Sequence, residues 1–213
     1  MRKIIYGLLI TLLSAILILA LNLFIFVKMS GVISTGENIQ QTGSGNTALL
    51  VLDLQEGTTG STSTNVGYIE QSEALFHEVN RLTEEALEKG QEIIYIGSEV
   101  TKPLINLINS SMARGSEGAG FDARLDIRSE HVVFKHKSDA FHEEELNEML
   151  GGMGVEKLLI VGLDAGQCVL NTTRGALNRG YHVAVFEEGI IAEDEQVKQE
   201  ALEEFRKLEV EIK

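Results

Sequence analysis

Asp53, Lys135 and Cys168 are an acid, an ammonium and the chain's single thiol, and each stands at or just beyond the end of an apolar run. "TALLVLDL" (47–54) carries Asp53, "HVVFK" (131–135) ends on Lys135, and "KLLIVGL" (157–163) leads through a short small-residue link to Cys168. Together these side chains can do nucleophilic chemistry at a carbonyl. A thiol is ionised to only about a few per cent at neutral pH, and the thiolate is the attacking species. A carboxylate can take the thiol proton and return it to a leaving amine. An ammonium stabilises the anionic state, and backbone N–H groups at a helix start can hold a developing oxyanion. Taken singly, each residue has an ordinary reading as well. A lone cysteine packs as a small hydrophobe, an aspartate after a strand caps a turn, and a strand-end lysine reaches solvent.

What must position the three is a set of alternating strands and helices. Continuous apolar runs bounded by turns predict buried parallel strands at 47–54, 92–98, 131–135, 157–163 and 181–187, with a short last strand in "EVEIK". Helical spacing predicts helices over 69–89, near 142–150, from about Cys168 to Asn178, and over 194–207. Gly90 is placed to end the first of these. Residues 99–130 are irregular, long enough for a functional excursion. The pattern implies a three-layer α/β/α domain with a mostly parallel sheet, in which a site forms at the carboxyl ends of the strands. That rule selects Asp53, Lys135 and the 163–168 link together.

The first 28 residues differ in composition from the rest. Ile4 to Val27 contains no charged residue, and as a helix would be about 36 Å long against a hydrocarbon core of about 30 Å. A cleaved signal has a shorter apolar region, so the expectation is a single-pass anchor in the lipid bilayer through residues 4–27. Arg2 and Lys3 precede the span and only Lys28 closely follows it, which places the N-terminus inside and the domain outside the cell membrane. Residues 29–46, small and polar, read as a flexible linker, and 47–213 as the globular domain. Removing the three basic residues of the anchor from the chain's 18 leaves 15 against 32 acidic ones, a net charge of −17. Such a surface repels nucleic acid and anionic lipid headgroups, so no polyanion-binding role is expected from the overall charge. One cysteine forms no internal disulfide.

From Thr47 onward the chain resembles the isochorismatase-like cysteine hydrolases, which include nicotinamidases and N-carbamoyl amidohydrolases. "ALLVLDLQEG" is similar to the first-strand motif of that family, "VVFKHKSDAF" to its lysine segment, and "LLIVGLDAGQCVLNTTRGALNRGYHVAVFEE" to its cysteine strand–helix–strand unit. The resemblance implies a six-stranded sheet in the order 3-2-1-4-5-6. It implies a catalytic triad of Asp53, Lys135 and Cys168, and a cis peptide at Leu163–Asp164. An oxyanion hole from the backbone N–H groups of Asp164 and Cys168 follows from the same pattern. The reaction implied is hydrolysis of a small amide or carbamoyl C–N bond through a thioester, without a cofactor. Phe141 is a candidate for an apolar wall of the pocket or for packing a helix on the sheet. A homo-oligomer is compatible with this pattern, a neighbouring subunit then helping residues 99–130 to shape the pocket.

Two departures from the family pattern stand out. Asp164-Ala165-Gly166 replaces the Ala-Thr-Asp or Val-Thr-Asn common before the cysteine, and an inward-pointing Asp164 would oppose ionisation of the thiol. The histidines of the nicotinamidase metal site are absent, with no histidine between His77 and His131, and no metal is expected. Two alternatives accompany the amidase reading. One is a non-catalytic domain that binds a ligand or partner at the membrane, which the altered link would suit. The other is vinyl-ether hydrolysis of the isochorismate type, whose members generally lack the cysteine.

Overall fold

The structure, a computed structural model, describes residues 2–108 and 110–213, and the side chains from Tyr6 onward except that of Ile108. It contains α1 (Arg2–Ser30), β1 (Thr47–Leu52), α2 (Val66–Glu88), β2 (Glu92–Ser98), α3 (Pro103–Ile108) and β3 (Val132–Lys135). These are followed by α4 (Glu144–Gly152), β4 (Lys157–Gly162), α5 (Leu170–Leu177), β5 (His182–Ile190), α6 (Glu195–Lys207) and β6 (Glu211–Ile212). All strand pairings are parallel, and the sheet runs β3-β2-β1-β4-β5-β6. This is the order implied by the resemblance.

The apolar runs are continuous because both faces of the sheet are covered. Along β1, Ala48, Leu50 and Leu52 pack with Leu146 and Leu150 of α4, Leu170 and Ala176 of α5, and Leu202 and Phe205 of α6. The alternate residues Leu49 and Val51 pack with Leu75, Phe76, Val79 and Leu82 of α2. The result is three layers, with α2 on one side and α4, α5 and α6 on the other. α2 starts three residues before the expected 69, because the Asn65 side chain caps it by accepting from the Tyr68 amide at 3.2 Å. Gly90, at φ +65°, follows its end.

One glycine is indispensable to this sheet. Gly162, at φ +117°, ends β4 beside β1, and a Cβ there would lie 2.1 Å from the Leu52 carbonyl oxygen. Only glycine lets the two central strands approach at the point where the chain leaves for Cys168.

The segment expected as a flexible linker is not free of the domain. Residues 31–46 have no regular secondary structure, yet they are pinned along their length. Ser34 is buried, and its amide and hydroxyl both donate to Asp139 Oδ2 at 2.8 and 2.7 Å. Arg179 donates to Ser34 Oγ at 2.9 Å, and the Ile39 amide donates to the Arg179 carbonyl at 2.8 Å. The amide and hydroxyl of Thr42 donate to Glu156 Oε1 at 2.6 and 2.7 Å. Small polar residues satisfy the composition of a linker, but the same residues are good hydrogen-bonding partners once a surface with buried acids is present. α1 is long and apolar enough to cross a membrane over Tyr6–Ser30, with a mean hydropathy of 2.8.

Candidate active site

Four adjacent strands deliver one residue each to a single point. β2 and β3 pair in register at Ser98 and Lys135, and β1 and β4 pair at Leu52 and Gly162. Alternation then sets the face. Ile94 and Ile96 of β2, and Val133 of β3, lie in the core under α4, α5 and α6, so Ser98 and Lys135 point the same way.

Asp53 sits just past β1 with φ at +58°, a left-handed conformation that aspartate tolerates better than most residues. The turn is held from both sides: its amide donates to the Ile96 carbonyl at 2.7 Å, and its carbonyl accepts from the Gln55 amide at 3.0 Å and Thr58 Oγ1 at 2.6 Å. The carboxylate is thereby fixed over the ends of β2 and β3. Lys135 Nζ lies 2.8 Å from Asp53 Oδ2, 3.1 Å from Cys168 Sγ and 2.7 Å from Ser98 Oγ. Ser98 Oγ in turn donates to Asp53 Oδ1 at 2.8 Å. The three residues selected from the sequence are therefore in one cluster. Asp53 and Lys135 are only 3 % and 1 % exposed, whereas the Cys168 residue as a whole is partly accessible.

Cys168 was expected in the first turn of α5. It lies instead in a wider π turn, Ala165–Val169, that precedes α5. The Asp164 carbonyl closes this turn by accepting from the amides of Gln167 and Val169, both at 3.0 Å. Asp164 Oδ1 accepts from the Gly166 amide at 2.8 Å. Its Oδ2 accepts from the Glu193 amide at 3.0 Å and from Tyr68 Oη at 3.1 Å. The acid that looked unfavourable beside the thiol is thus a capping group occupied by three donors. The peptide Leu163–Asp164 is cis. Among the described residues the Asp164 amide has no acceptor, while those of Leu163 and Ala165 donate to the Leu52 and Ile191 carbonyls.

The charges of the cluster interlock. Burial and the adjacent Asp53 carboxylate push the Cys168 thiol up to about 12, against a weaker downward pull from Lys135. Burial works against the Lys135 ammonium, but Asp53 and then Cys168 hold it above the ordinary lysine range. Burial raises the Asp164 carboxyl, opposed by its hydrogen bonds from Tyr68, Glu193 and Gly166. Burial and the neighbouring Asp164 also raise Tyr68. The shifts of Cys168 and Lys135 both favour the protonated thiol beside the ammonium at neutral pH. Asp53 Oδ2 is buried and accepts no well-aligned hydrogen bond, Lys135 lying 2.8 Å away as an ion-pair partner.

Several residues of the site escaped the sequence reading. Ser98 bridges the ion pair, and the strand-end rule that selected Asp53 and Lys135 also points to it as the last residue of β2. Gln55 is fully buried and ties three segments: its side-chain amide donates to the Ser98 and Ala119 carbonyls at 3.0 and 2.6 Å and accepts from the Ser98 amide at 2.7 Å. It couples β2 to the 99–130 excursion. Tyr68 reaches Asp164 from α2, a contact with no local sequence signal. Phe141 lies in the core, 1 % exposed, with its ring 5.6 Å from that of Tyr181 and the Arg179 guanidinium 4.9 Å above it. Its placement is that of a packing residue.

Among the described residues no group of three or more His, Cys, Asp and Glu side chains converges on one point. His136 contacts Glu143 and Arg114, and His142 contacts Val32 and Lys137.

Comparison with known proteins bears on the family and the fold. The family model described as "Isochorismatase domain" matches residues 47–212. The chain is similar to the "Secreted isochorismatase effector Isc1" of Verticillium dahliae, with 36% identity over 70 residues, 33% of this chain and 37% of that protein. The curated relatives it matches are thus covered over about a third of their length. Among solved structures, a pyrazinamidase of Pyrococcus horikoshii in complex with zinc superposes with a TM-score of 0.67 at 22% identity, covering 79% of this chain and 98% of that one. An N-carbamoylsarcosine amidase from Thermoplasma acidophilum superposes with a TM-score of 0.66 at 22% identity, covering 79% and 95%. These likenesses show the fold.

Proposed function

The chain belongs to the isochorismatase family, and from that premise we propose that it is a cysteine hydrolase that cleaves a small amide or carbamoyl C–N bond through a thioester on Cys168. The observation that carries this reading is the position of one buried ammonium, 2.8 Å from Asp53 Oδ2 and 3.1 Å from Cys168 Sγ. A thiol, its base and a charge to stabilise the thiolate are in reach of one another. The amidases among the structural neighbours act on compounds of the same chemical type.

In this mechanism Asp53 takes the thiol proton through Oδ2 as the sulfur attacks the substrate carbonyl. Lys135 stabilises the thiolate at that moment, since proton transfer moves negative charge from the carboxylate to the sulfur without leaving the ammonium alone. The amides of Asp164 and Cys168 receive the oxyanion. The C–N bond breaks, the amine leaves with the proton from Asp53, and the acyl group remains on sulfur. Water then gives a proton to Asp53, its oxygen attacks the thioester, and the carboxylic acid departs as the proton returns to sulfur. The raised thiol supports a base that acts during attack rather than a preformed ion pair. Ser98 and Gln55 serve as positioning residues.

The same proposal holds the enzyme at a cell membrane by α1, N-terminus inside and domain outside, the docked 31–46 segment keeping the domain close to the bilayer. A panel of small amides and carbamoyl compounds assayed for ammonia release tests the chemistry. Turnover by the native chain and its loss in Cys168→Ser are expected. Release that is unchanged in Cys168→Ser, or absent from the native chain across the panel, overturns the proposal.

A further inference from the structure

A second site lies where the apolar helix meets the catalytic edge. Asn22, Ile25, Phe26, Met29 and Ser30 of α1 form one wall of a cleft of about 270 Å³, and Thr101, Lys102, His136 and Lys137 form the other. It is attached to the domain at a defined point: the Ser138 amide donates to the Ser30 carbonyl at 3.0 Å. His136 and Lys137 directly follow Lys135, so this cleft adjoins the exit of the strand that carries the ion pair. α3 packs beside α1 and leaves Leu104 and Leu107 exposed, at 43 % and 81 %.

Charge separates this cleft from the rest of the surface. The domain is strongly acidic, and its basic side chains are mostly paired with carboxylates, as with Arg81, Lys89, Arg114, Arg124, Arg128, Lys157 and Arg174. Among the described side chains, Lys28, Lys102, Lys137, Lys198, Arg206 and the buried Arg179 have no carboxylate within ion-pair distance. Lys102 and Lys137 line the cleft, and Lys28 lies in the last turn of α1. Lys137 Nζ meets only the His142 ring, at 3.3 Å. Two lysines without a carboxylate partner thus line a cleft at the end of a 25-residue span whose own last turn carries a third. At 1.5 Å per residue that span is about 37 Å long, so its last turn emerges from a core about 30 Å thick into the headgroup layer.

We infer that this cleft binds the headgroup of an anionic phospholipid, with the acyl chains along the apolar face of α1 and the phosphate between Lys102 and Lys137. The inference rests on α1 being a membrane span. Bound lipid would seat the carboxyl edge of the sheet, and with it the thiol, against the bilayer surface, with Leu104 and Leu107 of α3 resting on the same surface.

Native mass spectrometry of the full chain in detergent, titrated with phosphatidylglycerol and with phosphatidylcholine of the same acyl chains, tests it. The native chain is expected to retain phosphatidylglycerol roughly 30- to 160-fold better, the contribution of two or three lysines at a surface. The pair Lys102→Glu with Lys137→Glu is expected to lose that preference, and the control pair Lys198→Glu with Arg206→Glu to keep it. Excess inorganic phosphate is expected to leave the bound lipid in place. Equal retention of both lipids, equal loss in the control pair, or displacement by phosphate overturns the inference. Resistance of the chain to alkaline carbonate extraction from membranes reports on the span alone, so a failed span and a failed cleft are told apart.

Discussion

Replacing Asp53 with asparagine should change thiol reactivity and turnover in opposite directions. In the native cluster burial and the Asp53 carboxylate push the Cys168 thiol up to about 12. A thiol raised in this way is ionised at pH 7 to well below the roughly one part in 100 that the ordinary 9.0 gives. Asp53→Asn keeps the shape and removes the charge. The buried ammonium, 3.1 Å from the sulfur, is then left with the thiolate as its one available anion. A like charge at this range shifts a titration by about 1–3 units, so alkylation at pH 7 should accelerate by roughly 10- to 1000-fold. Hydrolysis should meanwhile fall by about 100-fold or more, because the general base is lost. The assay is iodoacetamide labelling between pH 6 and pH 10 followed by mass spectrometry. Cys168 is the chain's only cysteine, so the signal has one source. Native labelling should climb through that whole range without a plateau, and Lys135→Met should slow it. Equal or slower labelling in Asp53→Asn at pH 7 refutes the electrostatic account of the site.

Two further outcomes follow from the same structure. Ser98→Ala removes a hydroxyl that donates to Asp53 and accepts from Lys135, and hydrogen bonds to charged groups contribute about 1.5–3 kcal/mol. kcat should fall roughly 10- to 100-fold with KM little changed, and Ser98→Thr should recover most of it; a change in KM alone contradicts a positioning role. Hydrogen bonds from the Thr42 hydroxyl, and then from the Thr42, Gly45 and Ser44 amides, bring Glu156 down from its ordinary 4.5 to about 2, against the effect of burial. A lowered folded value means that its contribution to holding the 42–45 segment is complete above 4.5 and is lost as pH falls toward 2. The protection of those amides against hydrogen exchange, taken relative to their intrinsic rate at each pH, should fall across that window. Glu156→Gln should loosen the segment at pH 7 and remove the pH dependence, and protection that persists to the low end of the window contradicts the assignment.

The sequence alone was enough for the strands, because a strand buried on both faces must be apolar at successive positions, and β1, β2 and β4 each announce themselves in that way. Residues at the carboxyl ends of such strands converge in any parallel sheet, so Asp53, Lys135 and Cys168 could be chosen before their distances were known. The order of the strands came from the resemblance of three motifs rather than from pattern. Tertiary structure decided what depends on groups distant in the chain. Ser98 becomes a bridge only when β2 and β3 pair in register, and Asp164 becomes a cap only when Tyr68 and the Glu193 amide reach it. Residues 29–46 have the composition of a linker and become a docked segment because Asp139, Arg179 and Glu156 offer partners more than a hundred residues away. The protonation of the thiol is of the same kind: burial and two neighbouring charges set it, and neither is written in the residues around Cys168.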